Sequence, residues 1–150
     1  MNRRNALIAA FATFATLATA SAAPLDTIRT RIAGYRELGA AFKGINDGLR
    51  SDPQVVLILQ SARQVVNASR QQYTWYPAGT GPQPGVKSAA KPAIWAKQIP
   101  FKAAQDAFAR EAAAMQRIAG GGNAAAMRAQ AKKLGATCKG CHDQFRNEVK

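Results

Sequence analysis

Two cysteines and the only histidine of the chain stand close together near its C-terminus. They are Cys138, Cys141 and His142, in the order Cys-x-x-Cys-His. On a helix, residues three and four apart lie on one face, so both sulfurs and the imidazole can meet the same ligand. This spacing is the attachment signature for a haem of the c type, with two thioether bonds and one nitrogen on the iron. The motif therefore predicts one covalent haem c held by Cys138 and Cys141, with His142 as the iron ligand.

Three alternative roles for the cysteine pair compete with haem attachment. A structural zinc site takes four Cys or His ligands, and the chain contains only three such residues in total. A thioredoxin-like redox motif belongs to a βαβ unit, for which the sequence has no pattern. A buried structural pair stays open, although two idle thiols would be oxidised in the compartment to which the chain is predicted to be exported.

The opposite face of the iron has few candidate ligands in the sequence. A second histidine is absent, so two histidines from one chain cannot ligate the iron. Methionine is another common axial ligand. Met127 shares a predicted helix with His142 and is poorly placed to reach the far face, and Met115 lies on an apolar stripe that favours core packing. We therefore expect a five-coordinate, high-spin iron, with ligation by a lysine or tyrosine as the alternative.

The first 22 residues read as a secretory signal. Arg3 and Arg4 form a basic start, residues 6–18 are uncharged and mostly apolar, and residues 20–22 (Ala-Ser-Ala) form a small-x-small cleavage site. A bilayer-spanning helix needs about 20 strongly apolar residues, which disfavours a membrane anchor. We expect a periplasmic protein with one domain at residues 23–150 and no membrane attachment after the signal is removed.

The chain is strongly basic, with a formal net charge of +13 at pH 7. Loss of Arg3 and Arg4 with the signal leaves 19 Lys and Arg against 8 Asp and Glu, a formal charge of +11. The charges are scattered, which favours an ordinary solvated surface over a preference for acidic partners or anionic surfaces. No nucleic-acid partner is expected, because the chain has no basic stripe and is predicted to be exported.

Helical periodicity dominates the rest of the sequence. Four helices with two short links and one long link predict an all-α, antiparallel four-helix bundle. The predicted helices follow a first apolar stripe between Ile28 and Leu49, and then cover residues 53–73, 100–119 and 123–149.

Capping residues mark the predicted starts of two of these helices, and a long loop separates the second helix from the third. Asp52 with Pro53 forms a favourable N-cap and first helical position for the second helix, and Asn123 can cap the fourth. Residues 74–92 are rich in Pro and Gly and predict a long loop, which in a small domain is usually functional. Aromatic residues at both of its ends are expected to pin the loop.

The chain resembles the cytochrome c prime family, the four-helix c-type cytochromes that attach haem at the C-terminus. Residues 31–39 resemble the first helix of the family, and residues 76–80 resemble its loop after the second helix. Residues 91–95 resemble the segment that enters the third helix, and residues 134–143 match the haem segment closely. The resemblance covers essentially the whole mature chain.

The resemblance implies roles for residues around the haem. It places Arg31 near a haem propionate, where a fixed cation offsets the carboxylate; a solvated helix charge is the alternative. It places Tyr35 over the distal side of the haem, although Tyr35 is also expected as a core aromatic. It places Arg146 against the proximal ring, where a cation at a helix C-terminus is favoured in any case. Trp75 and Trp95 can pack on the haem edge or in the core.

The resemblance also implies a function. It predicts electron transfer with redox partner proteins, binding of nitric oxide and less readily carbon monoxide to ferrous iron, and a homodimer. Tyr35 groups the chain with the five-coordinate members, because members with methionine near this position are low-spin electron carriers. A low-spin electron shuttle is the alternative. A weak peroxidase would need a distal acid–base pair, for which Tyr35 alone is a poor substitute, so we expect no enzymatic activity.

Overall fold

The computed structural model describes residues 22–148, and its regular secondary structure within that range is helical apart from one isolated β-bridge. Four long helices form the predicted antiparallel bundle, and a single helical turn precedes the third of them. The predicted all-α four-helix fold is therefore confirmed. The predicted signal peptide lies outside the described residues except for Ala22. The helices are α1 (Ala22–Gly48), α2 (Val55–Gln71), α3 (Ala93–Ala96), α4 (Gln98–Gly120) and α5 (Ala124–Phe145).

The core lies where α1 packs on α2, α2 on α4, and α4 on α5. Full burial of a large aliphatic side chain contributes about 1.5–3 kcal/mol, so the cluster of buried apolar side chains at these helix contacts supplies most of the driving force for folding. Met115 and Met127 are both fully buried in it, which confirms that Met115 is a core residue. No helix of the described part is long and apolar enough to cross a bilayer. The cluster includes Ile45, Ile58, Val65 and Leu134.

Glycines allow α1 to lie very close to its neighbours. A Cβ atom at Gly44 would lie 2.6 Å from Ser61 Oγ, and one at Gly48 would lie 2.7 Å from a side-chain carbon of Ile58. Any larger residue would therefore push α1 away from α2. This close contact fixes the position of the first helix, which carries two of the predicted site residues.

The link between α1 and α2 differs from the prediction. The expected cap at Asp52 and Pro53 is wrong, because α2 begins at Val55 after Gln54, whose side chain makes no capping hydrogen bond. The backbone N–H of Gln54 instead donates to the carbonyl of Gly48 at 3.0 Å. The link thus folds back on the end of α1, and the second helix starts two residues late.

The fourth long helix begins as predicted and ends early. The side-chain oxygen of Asn123 accepts a hydrogen bond from the backbone N–H of Ala126 at 2.9 Å, which confirms the predicted cap. The helix ends at Phe145, whereas the expected end was near residue 149. Arg146 is extended and forms an isolated antiparallel bridge with Ala90, so pairing with the long loop replaces the last helical turn.

Candidate haem site

A cavity of about 1080 Å³ opens among α1, α4, α5 and the last part of the long loop. Its apolar wall includes aromatic and aliphatic side chains from three helices. The structure brings together all six site residues that the sequence predicts. They are Arg31 and Tyr35 from α1, Cys138, Cys141 and His142 from α5, and Arg146 just beyond it.

Both cysteines are half-buried free thiols on the wall of this cavity. Burial raises the pKa of the Cys138 thiol, and burial together with the neighbouring Cys138 raises the pKa of Cys141 to about 11. Reactive cysteines in thiol–disulfide exchange have lowered pKa values, so these two do not fit that chemistry. Two neutral thiols one helical turn apart fit covalent attachment of a single large ligand.

His142 follows Cys141 directly and faces the same cavity. Burial and the nearby Arg146 lower the pKa of its imidazole, and Asp143 opposes this effect. The ring is therefore neutral at pH 7, which is the form that binds a metal. Among residues 24–148, no three His, Cys, Asp or Glu side chains converge to hold a bare metal ion, which disfavours the zinc alternative.

Arg31 is a buried cation, with only 2% of its surface exposed. Its guanidinium donates to the carbonyl of Trp75 and to the carbonyl of Thr80, both at 3.1 Å. Longer contacts of 3.5 Å reach the hydroxyls of Thr80 and Ser88. Burial lowers the pKa of Arg31, whereas Tyr76 and Tyr35 raise it. The alternative of a solvated helix charge is wrong, because this side chain ties the long loop to α1.

Two aromatic rings also pack against the Arg31 guanidinium. We call Arg31, its hydrogen bonds to the long loop and these rings the Arg31 clamp. The central carbon of the guanidinium lies 4.7 Å from the ring centre of Tyr76 and 5.5 Å from that of Trp95. The indole N–H of Trp95 donates to the carbonyl of Pro77 at 3.1 Å. The loop is therefore pinned by aromatic residues, as predicted, and also by a buried cation.

Tyr35 is half-buried on the cavity wall. Its ring packs edge-on against Trp75 with centroids 4.8 Å apart, and it lies 6.4 Å from the ring of Tyr76. Burial, and then Tyr76, raise the pKa of Tyr35 far above its usual value. Tyr35 is therefore a neutral phenol with a fixed ring, and it is a core aromatic as well as a cavity residue.

The two tryptophans are packing residues outside the cavity lining. Trp75 is buried so tightly against α1 that a Cβ atom at Gly34 would lie 2.3 Å from its ring. Trp95 borders a separate groove that the loop and the start of α4 form, and neither cysteine lines that groove. Trp75 is therefore a core residue, which is one of the two roles expected for it. Within the described part of the chain, neither tryptophan ring lines the cavity.

The end of the long loop pairs with the chain beside the haem motif. The backbone N–H of Lys91 donates to the carbonyl of Phe145 at 3.0 Å, and that of Asn147 donates to the carbonyl of Ala89 at 2.8 Å. The Lys91 ammonium donates to the carbonyl of Asp143 at 3.0 Å. These bonds hold the exposed Arg146 at the edge of the cavity, next to His142.

A buried amide pair in the cavity wall, Gln72 with Gln105, was not predicted from the sequence. Gln105 donates from its side chain to the carbonyl of Gln72 at 3.1 Å, and Gln72 donates to the carbonyl of Gln105 at 3.3 Å. The pair ties the end of α2 to α4. Gln105 lies one turn from both Phe101 and Phe108, which is the periodic signal that could have revealed it.

Comparison with known proteins agrees with this arrangement. The model of the family described as Cytochrome C' matches residues 26–146. The cytochrome c' of Rubrivivax gelatinosus is 37% identical over 70 residues, which cover 47% of this chain and 54% of that protein. The cytochrome c' of Cereibacter sphaeroides is 41% identical over 71 residues, which cover 47% of each. The chain thus spans about half the length of the curated relatives it matches.

Solved structures extend the likeness over most of the chain. The crystal structure of cytochrome c' from Thermochromatium tepidum is 26% identical with a TM-score of 0.80, and the match covers 83% of this chain and 97% of that one. The structure from Rubrivivax gelatinosus is 27% identical with a TM-score of 0.77 and the same coverage.

Proposed function

This chain belongs to the cytochrome c prime family and carries covalent haem c, and from that premise we propose a periplasmic mono-haem cytochrome with a five-coordinate, high-spin iron. It transfers single electrons to and from redox partner proteins, binds nitric oxide or carbon monoxide, and is not an enzyme. In this proposal Cys138 and Cys141 anchor the haem and His142 ligates its iron. The N-terminal signal supports export to the periplasm.

The cavity supports this assignment by its size, its chemistry and its anchors. Pockets for small molecules and cofactors have volumes of about 300–1000 Å³ and are mostly apolar with a few polar groups. This one has a volume of about 1080 Å³ and holds two neutral thiols and one neutral imidazole on a single helix face. That donor set matches a flat apolar cofactor fixed at one edge and ligated from one side.

One observation supports the open coordination position: neither methionine of the described residues is placed to ligate the far face. Met115 and Met127 are fully buried in the core, and neither lines the cavity. Tyr35 does line it, but burial raises its pKa, which disfavours loss of the phenol proton that iron ligation by tyrosine would require. Haem supplies a one-electron ferrous–ferric couple and, without a second protein ligand, an open position for a gas.

The surrounding side chains control that position in distinct ways. Tyr35, held edge-on by Trp75, narrows access for incoming ligands and excludes water. Arg31 places a buried positive charge in the cavity wall, where a propionate is expected. Arg146 lies close enough to His142 to lower its pKa, and so it acts on the proximal side.

Nitric oxide is the preferred gas in this proposal. Two solved structures of the same fold are described as nitric oxide complexes of two mutants of cytochrome c prime from Alcaligenes xylosoxidans. At 23% identity they share the fold alone with this chain. Another, at 24% identity, is described as a cytochrome c' with ligand-controlled dimer dissociation. We propose a homodimer for this chain as well, to be tested by its mass in solution.

Carbon monoxide titration of the reduced protein tests the gas-binding half of the proposal. The ferrous protein should bind one carbon monoxide per haem, with a single isosbestic transition in the optical spectrum. Absence of binding would support the low-spin shuttle instead. Extraction with acidic acetone tests the attachment: the colour should stay with the wild-type protein and should be lost when Cys138 and Cys141 are both replaced by Ser.

A further inference from the structure

We infer that the mouth of the haem cavity is a docking surface for an acidic face of a redox partner protein. The surface consists of Arg36, Lys87 and Arg146, which are all exposed and all border the cavity. They come from α1, from the loop and from the chain beyond α5, so the fold gathers them around one opening. The inference rests on the proposed electron-transfer function and names the chemistry of its partner.

In the described part of the chain, the three cations of this mouth form no ion pair with a carboxylate. Elsewhere on the helices, an aspartate one turn away pairs with a cation, as Asp106 does with Lys102 and Asp143 with Lys139. Within residues 24–148, none of the three mouth cations forms such an ion pair, and Glu148 is the single carboxylate in the cavity lining.

The balance of charge stays positive when haem is counted. The mouth has three cations, and the buried Arg31 inside the cavity adds a fourth. Glu148 and two haem propionates subtract three charges, which leaves a net positive opening. Complementary charge steers a partner and fixes its orientation, and such steering raises association rates by about 10- to 1000-fold.

The positive charge lies where a redox partner would have to bind. Electron transfer becomes much faster as the distance between two cofactors falls, so a partner gains most by binding where the cavity opens. The anchored haem would be closest to the surface at this opening. Cations scattered over the remaining surface lack that advantage, and the docking surface is therefore local although the whole chain is basic.

Binding to plastocyanin of net negative charge tests the inference without any electron transfer. Both proteins are kept oxidised, and the Kd is measured calorimetrically at low and at high salt. The variant Arg36→Glu with Lys87→Glu should weaken binding at least tenfold at low salt. The control variant Arg63→Glu with Lys132→Glu makes the same change in net charge on exposed residues away from the cavity, and it should change the Kd less than threefold.

Reduced protein mixed with the same plastocyanin gives the second readout. One electron passes from ferrous haem to Cu(II), giving ferric haem and Cu(I), and the second-order rate constant should follow the Kd across the variants. The variant Arg36→Gln with Lys87→Gln, which adds no carboxylate, should give a smaller loss in the same direction. Equal effects of the mouth and control variants, or no wild-type complex at low salt, would overturn the inference. Spin state and carbon monoxide binding, measured on the same samples, report separately on the proposed function.

Discussion

Replacement of Arg31 by alanine should destabilise the protein strongly, because this buried guanidinium holds the long loop. Two of its hydrogen bonds, to the carbonyls of Trp75 and Thr80, are 3.1 Å long. A hydrogen bond to a charged group contributes about 1.5–3 kcal/mol, and a buried carbonyl left without its donor costs about 1–3 kcal/mol. Stacking over Tyr76 adds about 0.5–2 kcal/mol.

These terms are partly offset because the buried cation regains its hydration in the unfolded chain. We therefore expect Arg31→Ala to lower the free energy of unfolding by about 3–5 kcal/mol, a size tied to loss of a buried polar network. For a domain of this length, that corresponds to a fall in Tm of about 10 °C or more.

Guanidinium denaturation of the mature ferric holoprotein measures the loss. Arg31→Lys keeps the charge but not the forked donor geometry, so it should fall between wild type and Arg31→Ala. Arg36→Ala, an exposed arginine on the same helix, should change the free energy of unfolding by less than about 0.5 kcal/mol. If Arg31→Ala costs less than about 1 kcal/mol, the clamp does not hold the loop.

Contacts of Gly34, Tyr35 and Tyr73 can each be tested by a single substitution. Gly34→Ala should lower the free energy of unfolding by about 1–3 kcal/mol, because its Cβ would lie 2.3 Å from the Trp75 ring. The control Gly120→Ala, with no atom within 4 Å of its Cβ and a position outside the cavity lining, should be neutral or stabilising. Equal effects of the two variants would show that the close approach of Gly34 to Trp75 is unimportant. Tyr35→Ala should speed carbon monoxide binding to the reduced protein in flash photolysis, whereas Tyr35→Phe should change the rate little; unchanged rates in the alanine variant would remove its gating role. Burial and a 2.7 Å hydrogen bond to Asp106 raise the pKa of Tyr73 to about 12. As the pH rises, the unfolded chain therefore loses the phenol proton of Tyr73 before the folded protein does. Between pH 10 and 12 the free energy of unfolding should fall less steeply in Tyr73→Phe than in wild type. The same slope in both proteins would contradict the raised pKa of Tyr73.

Local features of the fold were predictable from the sequence. The haem motif, the helical periodicity and the Asn123 cap each depend on residues a few positions apart, so no knowledge of distant contacts is needed. The predicted cap at Asp52 was wrong although it too is local. The backbone N–H of Gln54 bonds to the carbonyl of Gly48 in the same link, and this backbone turn overrides the preference of Asp52 for an N-cap.

The parts of the site that were missed depend on long-range pairing. The partners of Arg31 lie 44 to 57 positions away, and they include two carbonyls, which carry no sequence signal. Gln72 and Gln105 meet across 33 positions, and glutamine is ordinarily a surface residue. The family resemblance placed Arg31, Tyr35 and Arg146 on one cavity, but it could not show that Arg31 also holds the loop.

The optical spectrum of the purified protein, recorded in the ferric and ferrous states at neutral pH, tests the central claim most directly. If His142 is the single protein ligand, as proposed, both spectra should be those of a high-spin, five-coordinate haem c, because Met115 and Met127 are buried in the core. A low-spin, six-coordinate spectrum in both oxidation states would show a second strong protein ligand and would contradict the account.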